Sequence, residues 1–350
     1  MYKKFFMGIA AVAALTLVSC SSDDLNSLSD NSSKNEAISF DGYLGRSAVA
    51  VNGTRGSVLE KKQLQESEEG FGVFGNYKNA EGLEFGSNWF DNVQVKYSSK
   101  DTKWTYSPVQ YWLPQGHIDF LAYAPYDSKY NKKVTNDNQK LEFTVDPDIK
   151  KQKDLLWANS KNQKKTNNPV TFNFNHALAK IGYTVKTNVV GTTTITLNKI
   201  TLAGSTTDPA AGAFYTKGTI DLSKTNGASD LWTNQQGEQK FTWFDGSQSL
   251  TSTSTFNNSE TDYLFVIPQN FSTETDKLYV IVDYTITYNT GAEATMTNQV
   301  SKSLPYNFKQ GKAYMINLTV GLTPIQFEAE VTPWTDANNK NTDIDINTWE

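Results

Sequence analysis

One cysteine, two histidines and two arginines carry the most specific chemistry in this chain, and their positions narrow what that chemistry is. Cys20 follows Leu17-Val18-Ser19, behind Lys3, Lys4 and an apolar run from Phe5 to Val18. A positive start, an apolar stretch too short to span a bilayer and small residues before the cut are marks of a secretory signal, and a cysteine at the first mature position can take a thioether-linked lipid. Residues 1–19 are therefore the expected signal peptide and Cys20 the expected lipidation site. That anchor consumes the only thiol, which removes disulfides, thiolate-bound metals and cysteine nucleophiles together.

His117 and His176 lie 59 positions apart in separate strand-like runs, so a two-histidine metal site has no support. The sequence holds no HExxH, no GxSxG elbow, no phosphate-cradling glycine loop and no GxGxxG after a strand. The 37 acidic residues are too scattered to single out a glycosidase-type pair. No catalytic residue, metal ligand or cofactor is assigned, and the chain is not expected to be an enzyme. His176, in Phe174-Asn175-His176-Ala177, is expected to be a hydrogen-bonded core histidine. Residues 336–345 are rich in oxygen donors but lack the glycine and spacing of an EF-hand, and are expected to be a solvated tail. Trp89, Trp112 and Trp243 have two possible roles: exposed platforms that stack on sugar rings, or core and cross-strand packing. A net charge of -5 without a basic cluster gives no electrostatic reason to bind nucleic acid.

The elements that position these residues are expected to be strands. Aromatics make up 13% of the chain, alongside many Thr, Asn, Ser and Gly, which suits half-buried pleated sheet better than helix bundles. Alternation supports this: Leu141, Phe143 and Val145 share a face, as do Leu278, Val280, Val282, Tyr284 and Ile286, then Tyr314, Ile316, Leu318 and Val320, then Ile325, Phe327, Ala329 and Val331. Turn signals between runs, such as Pro114-Gln115-Gly116, Asn226-Gly227 and Gln310-Gly311, point to antiparallel connections and sandwich architecture. Val170, Phe172, Phe174 and His176 share one parity whereas Ile181, Tyr183 and Val185 share the other, which predicts a bulge or short turn within Ala177–Lys180. The fold class is thus all-β: residues 20–36 a lipidated flexible tether, 37–168 an N-terminal sandwich, 169–350 a C-terminal sandwich, with a boundary in the polar run at Lys161–Asn168.

Arg46 and Arg55 are the only arginines among 32 basic side chains, and both fall in one early segment, so an arginine-specific protease has nowhere else to cut. Around them lies an ordered set of pieces: the lipobox, Ile38-Ser39-Phe40, Thr54-Arg55, Phe71-Gly72-Val73-Phe74-Gly75-Asn76-Tyr77, Asp119-Phe120-Leu121-Ala122-Tyr123-Ala124-Pro125, His176-Ala177-Leu178-Ala179-Lys180-Ile181, Gly311-Lys312-Ala313-Tyr314 and Val331-Thr332-Pro333-Trp334. In that order they resemble the fimbrillin family, the lipoprotein-derived type V pilins and their minor-fimbrium-like relatives of Gram-negative bacteria. The resemblance implies two transthyretin-like Greek-key β-sandwiches in tandem, export as a surface lipoprotein of the outer membrane, and assembly with other fimbrial subunits into adhesive fimbriae. In polymerising members an arginine-specific protease removes the anchor and first strand, and a strand from the next subunit fills the groove. Arg55 best matches the position of that cut, with Arg46 second. Physics agrees, since removing Ile38 and Phe40 from a sheet leaves an unpaired edge and an empty apolar slot. Ile344, Ile346 and Trp349, within 343–350, form the candidate donor strand; a frayed tail is the alternative. Ser21-Ser22-Asp23-Asp24 resembles short signals that send lipoproteins to the outer face of the outer membrane. The partners expected are fimbrial subunits, the outer membrane through the lipid, and a surface protein or glycan; the alternative function is a surface glycan-binding lipoprotein working through Trp89, Trp112 and Trp243.

Overall fold

Strand-forming alternation dominates the computed structural model, which describes residues 36–44, 61–79, 81, 89–134, 138–208, 210–258, 262–273, 277–289, 294–322 and 326–333. The first half contributes β1 (Phe40–Leu44), α1 (Lys61–Glu66), β2 (Phe71–Lys78), β3 (Phe90–Ser98), β4 (Lys103–Thr105), β5 (His117–Ala124), β6 (Lys140–Thr144), β7 (Leu156–Gln163) and β8 (Val170–His176). The second contributes β9 (Ala179–Thr187), β10 (Thr193–Ala203), β11 (Phe214–Asp221), β12 (Trp232–Gln239), β13 (Phe241–Leu250), β14 (Phe256–Asn257), β15 (Leu264–Val266), β16 (Gln269–Asn270), β17 (Tyr279–Tyr288), β18 (Ala294–Ser303), β19 (Asn307–Phe308), β20 (Lys312–Val320) and β21 (Gln326–Pro333). The protein is mostly β, as composition and alternation predict.

Seven strands of the first half form one sheet in the order β1-β8-β7-β5-β2-β3-β4. It curls so far that its end strands meet: a Cβ built on Gly42 of β1 would lie 3.7 Å from the indole of Trp104 in β4. The inside of this nearly closed sheet is filled by rings, including Phe71, Phe90, Phe120, Phe172 and Phe174. Across its surface Lys78 of β2 pairs with Asp119 of β5 at 2.9 Å, and the Asn162 N–H donates to the other Asp119 oxygen at 2.7 Å. Burial alone would raise the Asp119 carboxyl, but those two donors outweigh it and hold it below the usual carboxylate range.

In the second half a four-stranded sheet, β13-β10-β17-β18, and a five-stranded sheet, β14-β9-β20-β21 with β15 also paired to β9, share one core. The alternating residues named from sequence line it: Val280, Val282, Tyr284 and Ile286 from β17, and Ile316, Leu318 and Val320 from β20. A third sheet, β12-β11-β6, recruits β6 from the first half to pair with β11, and a small core containing Leu141, Trp157, Ile220 and Phe265 lies under it.

Three expectations are refined by the pairings. Connections are not all antiparallel: β1 runs parallel to β8, and β20 parallel to β9. Those partners are more than a hundred residues apart in sequence, so no hairpin sets their direction. The parity break after His176 is a passage between sheets rather than a bulge, with Ala177 and Leu178 fully buried between β8 and β9. Beyond the polar run at Lys161–Asn168, β8 is still hydrogen-bonded to β7 and β1, so the first sheet extends to His176.

Candidate functional site

The residues around β1 form the site that best fits the sequence expectations. The segment Ile38-Ser39-Phe40-Asp41-Gly42 alternates, and its even positions point into the ring-lined interior of the curled sheet. Ile38 and Phe40 are only 2% and 3% exposed. The Phe40 ring packs 5.3–5.6 Å, centroid to centroid, from Phe90, Tyr106, Phe120 and Phe172, edge to face on Phe90 and Phe120, tilted on Tyr106 and stacked on Phe172. Outward-facing Tyr43 is exposed.

β1 is held by few backbone bonds relative to the surface it buries. Among the described strands it pairs with β8 alone, in the parallel register Phe40 to Val170, Gly42 to Phe172 and Leu44 to Phe174. The residues just before it are clasped by a loop: Ile38 N–H donates to Gln110 O at 2.8 Å, and Trp112 N–H to Glu36 O at 2.9 Å. The Tyr106 hydroxyl donates to Ile38 O at 2.7 Å, and burial pushes its pKa up, which keeps that donor protonated. β1 thus carries one strand ladder and sits among rings contributed by other parts of the chain. Its withdrawal would expose the β8 edge and an aromatic slot.

The other sequence-selected residues fall elsewhere. Cys20, Arg46, Arg55, Ile344, Ile346, Trp349 and residues 336–345 lie outside the described residues. Trp112 and Trp243 are 2% and 3% exposed, so of the two roles left open for them burial favours packing, because a sugar platform needs an open ring face. Trp112 belongs to the ring core beside Phe120, and Trp243 packs on Tyr183 and donates to Asp262 O at 3.2 Å. Trp89 is half-buried and leans on Tyr77. His176 Nδ1 lies 2.7 Å from Asp154 Oδ2, a buried side chain, which is the hydrogen bond expected of it. Among the described residues no group of three His, Cys, Asp or Glu side chains is placed to hold a metal.

Gly42 and Phe90 of β3 were not singled out from sequence, whereas Phe120, Phe172 and Phe174 stood out only as members of a motif or a parity run. Gly42 shares the parity of Ile38 and Phe40, which is a readable signal; the rings it meets come from distant strands and leave none.

Comparisons with known proteins bear on the same region. A family profile described as Fimbrillin-like matches residues 54–334, a span that starts after β1. A fimbrial protein from Bacteroides vulgatus superposes with a TM-score of 0.65 at 22% identity, over 86% of this chain and 100% of that one. A "putative cell adhesion protein" from Bacteroides ovatus superposes with a TM-score of 0.51 at 14% identity, over 87% of this chain and 99% of that one. At these identities the likeness concerns the fold. No curated protein matches the chain.

Proposed function

The chain belongs to the fimbrillin-like family, and from that premise we propose that it is a structural and adhesive subunit of surface fimbriae, assembled by protease-triggered strand exchange rather than by any catalytic activity of its own. The observation that carries this proposal is β1 and the residues just before it: buried Phe40 and Ile38 fill a slot built by the rest of the sheet, while β1 ladders on β8 alone. Cutting at Arg55, or at Arg46, would sever this strand and everything before it from the body. The family match supports that division, since the shared region begins at Thr54, one residue before Arg55. An incoming strand would then restore the ladder on β8 and refill the slot, the two gains that drive strand addition.

The rest of the proposal follows the sequence expectations. Lipidation at Cys20 tethers the subunit to the outer membrane facing outward until the cut, and residues 343–350, with Ile344, Ile346 and Trp349, are the segment this chain could offer to another subunit. The two tandem transthyretin-like sandwiches are drawn with the passage at Ala177–Leu178 as their junction, supported by the change of sheet there. Glycan capture through aromatic platforms loses Trp112 and Trp243, which are buried.

The test is to treat the purified chain with an arginine-specific protease, read the new N-terminus by mass spectrometry and follow size on an unboiled gel. A start at Gly56 or Ser47, with a folded remainder that has shed the first strand and takes up an added strand in its place, is expected. Resistance at both arginines, or a cut body that takes up no added strand, overturns assembly by strand exchange.

A further inference from the structure

We propose that the slot occupied by β1 selects its occupant at Gly42: it takes a strand with two large apolar residues followed by glycine or alanine at alternate positions, and it rejects this chain's own C-terminal segment. This rests on the strand-exchange function proposed above. The present occupant displays the chemistry directly. Ile38 and Phe40 fill deep positions, and the next inward position holds no side chain because three rings converge on it. A Cβ there would lie 3.4 Å from Phe174, 3.6 Å from Phe71 and 3.7 Å from Trp104, which is ordinary contact and leaves room for alanine. A β-branched residue adds two more atoms on that Cβ, and they would be driven into rings that pack on one another.

Those rings have little freedom to withdraw. Phe71 packs edge-on against Trp104 at 4.9 Å and against Phe174 at 5.4 Å, so the three sides of the slot form one interlocked group. The selection is therefore set by β2, β4 and β8, which remain after β1 leaves.

The chain's own tail does not carry the required pattern. Aligning Ile344 and Ile346 with Ile38 and Phe40 places Thr348 at the Gly42 position. Ala337 is the sole glycine or alanine after Trp334, and the residues at alternate positions before it are Pro333 and Thr335. Residues 343–350 are thus mismatched to this slot, and the strand that fills it has a different sequence.

The experiment uses the full chain after arginine-specific cleavage and four fluorescent peptides: residues 36–44, the same peptide with Gly42→Ala, the same with Gly42→Val, and residues 341–350. Binding is read by fluorescence polarisation. The first two are expected to bind alike, the Gly42→Val peptide to bind roughly ten- to a hundredfold more weakly, the range that overpacking a filled site imposes, and residues 341–350 not to compete. If the Gly42→Val peptide or the tail peptide binds as tightly as residues 36–44, the selectivity is overturned while strand exchange stands. If residues 36–44 themselves fail to bind, strand exchange falls, and the selectivity with it.

Discussion

The two large cores of this protein are built from different materials. The curled first sheet closes around phenylalanine, tryptophan and tyrosine rings, whereas the sheets of the second half enclose mainly Ile, Leu and Val, such as Ile195, Leu197, Val280, Val282, Ile316 and Leu318. Aliphatic residues on long strands make a body whose central strands are held on both sides: β17 lies between β10 and β18, and β20 between β9 and β21. In the first half the chemistry is concentrated differently. A single end strand, laddered to β8 alone, inserts Phe40 among four rings, so a large apolar surface depends on a five-residue element. The lesson is that burial and permanence are separable. Burial is set by how many rings surround a side chain, while permanence is set by how many ladders and covalent links hold its strand.

The largest expected effect tests that separation. Phe40→Ala should cost the intact chain about 3–5 kcal/mol in urea denaturation. After arginine-specific cleavage and release of the first strand, variant and wild-type bodies should have the same midpoint; a penalty that survives release would break the comparison, because it would place Phe40 outside a separable strand. Ile316→Ala, in the aliphatic core, should cost about 2–5 kcal/mol, and here the loss should be the same before and after cleavage. A loss that changes on cleavage would mean that the second core depends on the first strand.

Asp119→Asn asks how firmly the strands that stay behind are held. The folded carboxyl titrates below its ordinary value, so its contribution is present above the unfolded carboxylate value and is lost as pH falls through the folded one. The substitution should therefore cost about 1–2 kcal/mol at neutral pH, from the charge-assisted bonds to Lys78 and Asn162, and the gap to wild type should close in acid. Denaturation midpoints measured across pH check this, and a gap that persists below the carboxylate range would assign the loss to packing. The smallest effect belongs to Thr297→Ala on the exposed edge strand β18, which should shift stability by less than about 0.5 kcal/mol. A larger loss would show that the edge of the second half is engaged in the free protein.

Much of the second half was legible from residues alone. The alternations at 278–286 and 314–320 put the right side chains in the core, because in a strand the face a residue occupies depends only on its parity. The parity switch after His176 was legible too, though its cause was not, since a bulge and a passage between sheets leave the same local trace. The tryptophans were less readable. Trp112, between Tyr111 and Leu113, and Trp243, between Thr242 and Phe244, sit in aromatic-rich stretches that suit either a surface platform or a buried anchor, and only tertiary packing decides between the two.

By itself the sequence determined the isolation of Arg46 and Arg55, the β character and the inward parity of Ile38 and Phe40, all of which are properties of residue type and position along the chain. Tertiary structure decided that β1 runs parallel to β8, that β6 crosses to join β11, and that Phe71, Trp104 and Phe174 converge on Gly42. Those facts join residues 30 to 130 positions apart, and nothing in a local pattern specifies which distant strand will close the ring around another.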